Sequence, residues 1–195
     1  MYVNMNIQLL TNFFNTKQNN IELYNEAGLQ YELTLYLTQV LPNYKIRLEY
    51  PITRVYQPNS GLVKKEMDIY LTSPTNEKFL IELKLPKAAG GIPKGMYEAL
   101  RDVKFSEQLK DRGFQGCYSI LITECTSFWA APRANEAIYE LFNGAEVEFK
   151  SVDCTFLPKF LHKSGPIHLN RLYRAKWNDF RDTDNKLWKY YILAV

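Results

Sequence analysis

Cysteine, histidine and long apolar runs are all scarce in this 195-residue chain. Three cysteines (Cys117, Cys125 and Cys154) make an odd set with no close pair and no CxxC. That argues against a disulfide scaffold and for reduced thiols in or near the core. The two histidines, His162 and His168, lie in a loop-like stretch and make no zinc spacing with the cysteines. They are assigned no role. The His-centred motif of ββα-metal nucleases is missing, and no helicase motif implies ATP. The N-terminus has no basic leader, and no apolar run approaches the roughly 20 residues of a membrane span, so a cytoplasmic protein is expected. Repeats, low-complexity tracts and linkers are lacking too. One domain over residues 1–195 is expected, its loosest part being the Gly/Pro loop 86–95. The net charge of +3 is too small to argue by itself for nucleic acid.

Aromatic residues are plentiful: 14 Tyr, 11 Phe and three Trp, within 46% hydrophobic residues, can fill a sizeable core. Charge is unevenly spread. Residues 156–195 carry eight basic and three acidic side chains, and such a basic end can attract phosphates. The spacing of Leu29, Leu33, Tyr36 and Val40 predicts a helix over 21–41, ended by Pro42 and Asn43. Alternation from Tyr44 to Ile52 predicts a strand over 44–56. A hairpin follows over 67–85, then a helix over 96–112 stopped by Gly113. A buried-looking strand over 117–123, a short helix over 134–143 and a final strand over 190–195 complete the pattern. The fold class expected is mixed α/β, a central mixed β-sheet flanked by helices.

The hairpin carries the chemistry. Two apolar-rich runs, 67–72 and 78–85, flank Ser73-Pro74-Thr75-Asn76-Glu77, which has the residue types of a turn. A turn centred on Thr75 sets residues summing to 150 opposite one another, so Asp68 faces Glu82. Their Cβ atoms would be about 4.5–5.5 Å apart, where like charges repel. A divalent metal between the carboxylates explains that arrangement. Lys84 points to the same face, two residues beyond Glu82. An acid and a lysine two apart more often mark a solvated strand edge. Here Ile69 and Leu71 on one strand, and Phe79, Ile81, Leu83 and Leu85 on the other, make both strands packed. Leu80 and Tyr70 share the acidic face, where ionised groups are costly unless paired or metal-bound.

Asp68 in one strand and Glu82-Leu83-Lys84 in the next, after a helix and before a helix and strand, resemble the PD-(D/E)xK nuclease superfamily, the restriction-endonuclease-like fold. The resemblance covers residues 20–125. Met67 precedes Asp68 where a proline is common. The family's upstream acid often follows a G-x-x-x-E spacing, which Gly28-Leu-Gln-Tyr-Glu32 matches. Glu26 competes with Glu32 for that role, sharing a face with Leu33; the Gly28 spacing favours Glu32. Arg101, Lys104 and Gln108 share a face of the downstream helix, where the family often aims a Gln or Lys at the site.

The resemblance implies a Mg²⁺-dependent DNA endonuclease, with Mn²⁺ as a substitute and RNA not excluded, of a restriction or host-defence type. Asp68, Glu82 and the Leu83 carbonyl would hold the metal, with Glu32 acting through water or on a second ion. Lys84 would orient or deprotonate the attacking water or stabilise phosphate charge, while Gln108 and Lys104 would position the phosphate. Lys87, Lys94, Arg101, Lys104, Arg174 and Lys176 are candidate nucleic-acid contacts, Lys64 and Lys65 ahead of Asp68 could also meet phosphates, and the basic, aromatic tail suits phosphate contact or base stacking. Solvated lysines and tail aromatics packed in the sheet are the plainer alternatives. A homodimer would supply two sites for cutting two strands. The competing classes are a repair or recombination nuclease reading DNA structure, a non-cleaving binding module on the same fold, and an unrelated α/β protein whose Asp68 and Glu82 face opposite ways.

Overall fold

A computed structural model of the protein describes residues 4–57, 61–86, 91–130 and 137–195. Three α-helices, α1 (Ile7–Lys17), α2 (Glu26–Val40) and α3 (Ile92–Lys110), accompany eight strands. Strands β1 (Lys45–Pro51), β2 (Glu66–Thr72), β3 (Lys78–Lys84), β4 (Gly116–Thr123), β7 (Asn178–Arg181) and β8 (Leu187–Ala194) form one sheet in the order β1-β2-β3-β4-β8-β7. Only β3 and β4 pair in parallel, joined through α3; the other neighbours are antiparallel. A small second sheet pairs β5 (Glu146–Phe149) with β6 (Tyr173–Lys176). The expected mixed α/β fold with helices on a central mixed sheet is what the chain adopts.

Strand alternation explains the layers. Ile69, Leu71, Phe79, Ile81 and Leu83 pack with Phe13 and Phe14 of α1 and Leu29, Leu33 and Leu37 of α2. Leu80 and Cys117 pack with Phe105 and Leu109 of α3. Tyr191 and Leu193 meet other residues of α3 and the aromatic residues around β5 and β6. The sheet is therefore covered by α1 and α2 on one side and by α3 on the other.

Several boundaries differ from expectation. The helix placed over 21–41 starts only at Glu26, because the Asn25 side chain accepts the Gly28 amide at 2.7 Å and caps it. The strand over 44–56 ends at Pro51, which has no N–H for the ladder, and the chain turns into a 3-10 segment at Ile52–Arg54. The described part of the helix over 134–143 is a 3-10 turn, Ala137–Leu141, followed by Gly144 at φ 97. Helix α1 lies outside the expectations altogether. The final strand extends back to Leu187, and β7 pairs with it along the sheet edge. No helix among the described residues is long and apolar enough to cross a membrane.

Candidate functional site

The β2–β3 register runs Ile69↔Ile81, Tyr70↔Leu80 and Leu71↔Phe79, the pairing expected for a turn at Thr75. The backbone pairing stops at Ile69↔Ile81, and beyond it Asp68 and Glu82 meet through their side chains. One Glu82 carboxylate oxygen accepts the Asp68 amide at 3.4 Å, and Asp68 Oδ2 accepts the Leu83 amide at 2.8 Å. Each acid is thus tied to the backbone of the other's strand. On the far side of Asp68 the β1 ladder breaks. Glu49 takes φ 45, and the Gln30 side-chain amide fills the gap, donating to the Asp68 carbonyl at 2.8 Å and to Glu49 at 2.7 Å.

A third acid, Asp102 of α3, joins them. Asp102 and Glu82 are buried, at 3% and 0% exposure. Between the three carboxylates lies the ammonium of Lys64, bonded to Glu82, 2.9 Å from Asp102 and 3.5 Å from Asp68. Lys84 stands alongside, 3.4 Å from Glu26 and 4.0 Å from the second Asp102 oxygen. That oxygen, Oδ2, is buried without a hydrogen-bond partner. Burial and the nearby Asp68 charge push the Glu82 carboxyl well above the usual carboxylate range. Burial likewise raises Asp102, to about 6. Burial alone would lower the pKa of Lys64, but Glu82, Asp102 and Asp68 outweigh it and hold the ammonium above the usual lysine range. Asp102 and Glu26 do the same for Lys84.

Of the two acids of α2, Glu26 reaches this cluster and Glu32 does not. Glu26 opens α2 and accepts the Leu85 amide at 3.0 Å as well as Lys84. Glu32 is six residues on, roughly 240° around and 9 Å along the helix. It pairs instead with Lys17 of α1 at 2.9 Å. Gly28, whose spacing favoured Glu32, has a local purpose: a Cβ there would sit 3.2 Å from both the Asn25 capping oxygen and the Tyr24 ring.

Gln108 does not reach the carboxylates. Its oxygen accepts the Val63 amide at 2.9 Å and its nitrogen donates to the Gly61 carbonyl at 3.0 Å. Arg101 donates to the Val63 carbonyl through Nε at 3.1 Å and through Nη2. Both residues therefore clamp the strap that delivers Lys64. Lys104 pairs with buried Glu107 at 3.1 Å. Lys94, Arg101, Lys104 and His168 nevertheless line one open groove of about 650 Å³, with Val63 of the strap in its wall. Lys87 lies outside the described residues. Arg174 forks onto Glu148 across the small sheet at 3.0 and 2.8 Å, and Lys176 is exposed on the same face. Three of the tail aromatics pack inward: Tyr173, Trp177 and Trp188 are buried, donating to Glu107, the Phe142 carbonyl and Asp182, whereas Phe160 is exposed. The three buried residues have no free ring face for stacking on a base.

Sequence reasoning misses Asp102, and it offers Lys64 only as a phosphate contact, whereas the ammonium sits among the acids. Asp102 occupies the buried stripe Gly95, Ala99, Asp102, Ser106, Leu109 of α3. An acid on an otherwise apolar or small stripe was the available signal, since a buried charge needs a partner. Lys64 sits in an irregular strap, where no periodicity marks it.

The donor set suits a hard divalent cation: carboxylate oxygens from three elements, one of them without a partner, around a position already held by a cation. Among the described residues no group of three or more His, Cys, Asp or Glu side chains is placed to hold a metal ion, and Asp68, Glu82 and Asp102 each contact Lys64 instead. Comparison with known proteins finds no matching family model, curated relative or solved structure.

Proposed function

We propose that this protein is a metal-dependent phosphodiesterase acting on nucleic acid, a nuclease of the PD-(D/E)xK kind. The observation that carries the reading is the convergence of Asp68, Glu82 and Asp102 on one cation position, with Lys84 beside it. Asp68, Glu82 and the Leu83 carbonyl would hold Mg²⁺ or Mn²⁺, with Asp102 as a further ligand supplied by α3. A bound divalent ion supplies Lewis-acid activation of water and neutralisation of phosphate charge. Glu26 sets the direction of the Lys84 ammonium through its 3.4 Å contact. Lys84 then orients the attacking water and stabilises charge gathering on the phosphate.

Lys94, Arg101 and Lys104 form one wall of the groove and are the nucleic-acid contacts best supported by their grouping. Arg174 and Lys176 are weaker candidates, since neither lines that groove. DNA is the first substrate to try. The three cysteines are free thiols, in keeping with a reducing, cytoplasmic setting.

One observation favours a second reading. An ammonium permanently seated among the acids would make this a nucleic-acid-binding module that does not cut. A panel of supercoiled plasmid, single-stranded DNA and RNA, incubated with Mg²⁺, Mn²⁺ or EDTA, separates the two. The nuclease reading requires ion-dependent cleavage by the wild type, abolished in Asp68→Ala and Lys84→Ala variants that remain folded. Binding without cleavage under every condition rejects it.

A further inference from the structure

We infer that Lys64 is a displaceable plug: its ammonium holds the ion position in the metal-free protein, and a divalent cation takes that position by expelling it. This inference rests on the metal-site reading of Asp68, Glu82 and Asp102 given above. A lysine ammonium has three N–H donors. Here all three have an acceptor, in Glu82, Asp102 and Asp68, which belong to three different elements. The group therefore does the work of a bridging cation. It does so incompletely, because three carboxylates share this ammonium, Lys84 approaches only Asp102 among them, at 4.0 Å, and Asp102 Oδ2 is left without a hydrogen bond. An ion with two charges and about six ligand positions matches the oxygens better than an ammonium does.

The plug is built to move. Residues 61–65 form no helix or strand. They are held by side-chain clamps from α3, Gln108 on Gly61 and Val63 and Arg101 on the Val63 carbonyl, by Leu62 and Val63 packing against the core of Phe105 and Leu109, and by the Ile52 amide on the Lys65 carbonyl at 2.8 Å. Gly61 lies at φ 70 with open space around it, a backbone state that glycine adopts without strain. The Lys64 side chain keeps 18% exposure, so its tip has a route out along its own stem. Val63 also lines the groove that holds Arg101. A phosphate reaching the guanidinium would compete with the Val63 carbonyl for its donors and loosen the strap, so substrate and ion would favour the same open state.

Calorimetric titration of Mg²⁺ and Mn²⁺ into metal-free wild type, Lys64→Met and Gln108→Ala tests the plug. Removing the competing ammonium should tighten ion binding at least about tenfold in Lys64→Met, since a site closed most of the time binds more weakly by its open fraction. Gln108→Ala should tighten it by less, through a looser strap. Added Mg²⁺ should also speed acetylation of Lys64 in the wild type, read by mass spectrometry. Equal or weaker ion binding by Lys64→Met overturns the plug, as does the absence of ion binding in all three proteins. If Lys64→Met fails to fold, Gln108→Ala and the acetylation rate decide: no change in either overturns it. Tightened binding without cleavage of any nucleic acid would keep the plug and remove the nuclease reading; cleavage with unchanged ion affinity would do the reverse.

Discussion

Replacing Asp102 by Asn should stabilise the metal-free protein while removing its activity. The magnitude follows from the burial of this carboxyl, which is held at a pKa of about 6 against the usual 3.8. The folded protein binds that proton more tightly than the unfolded chain does, so the folded state gains relative stability at low pH and loses it as pH rises from about 4 to about 6. At roughly 1.4 kcal/mol per tenfold in proton affinity, the loss is about 3 kcal/mol. Glu82, raised in the same direction, adds to the slope. Lys64 and Lys84, held above their usual range by these acids, stay charged throughout that window and add no slope. Asn is neutral at every pH, keeps the shape, and can still accept from Lys64. The variant should therefore match wild type near pH 4 and exceed it by up to about 3 kcal/mol at pH 8. Urea unfolding in EDTA across that range reads it directly. An Asn variant less stable than wild type at pH 8, or a difference that does not vary with pH, refutes the claim that this carboxylate is kept at a cost to stability.

Glu26→Gln should lower cleavage severalfold by releasing Lys84, whereas Glu32→Gln should leave it unchanged and cost under about 1 kcal/mol for its partly exposed pair with Lys17. Initial rates of plasmid nicking separate the two, and equal losses would return the upstream role to Glu32. Glu107→Ala should destabilise the fold by about 3 kcal/mol, because it leaves the Tyr173 hydroxyl, the Asn170 amide and Lys104 without their shared acceptor. A change in urea midpoint corresponding to less than about 1 kcal/mol would show that α3 is not anchored to the tail through this residue.

The hairpin was legible because two independent signals agreed: alternation in 67–72 and 78–85, and turn residues at 73–77. Together they set the register, and register alone brings Asp68 to Glu82. The layered fold was legible for a similar reason, since helical and strand periods alternate along the chain. Glu26 was lost to a spacing argument. Asn25 carried a cap signal that would have started α2 there and put Glu26 in its first turn, at the end of β3. Helix α1 had its own cap in Asn6 and a buried face in Leu9, Leu10, Phe13 and Phe14. Lys64 could not be read in the same way. Its position depends on a strap without regular structure, clamped by Arg101 and Gln108, whose shared helix face was legible but whose target was backbone instead of phosphate. In the tail the plainer alternative, aromatics packed in the sheet, is the one the chain adopts for Tyr173, Trp177 and Trp188. The tail's basic and aromatic residues look like a binding weave in sequence, yet Tyr173, Trp177 and Trp188 spend their polar tips inside the protein.

Diffraction from Mn²⁺-soaked crystals, with the ion located by its anomalous signal, examines the proposed centre itself. The peak should fall between Asp68, Glu82 and Asp102, within about 2.0–2.6 Å of their oxygens, with Lys84 still in place beside it. An ion bound elsewhere, or none at a concentration that supports cleavage, would contradict the assignment of these acids as the metal centre.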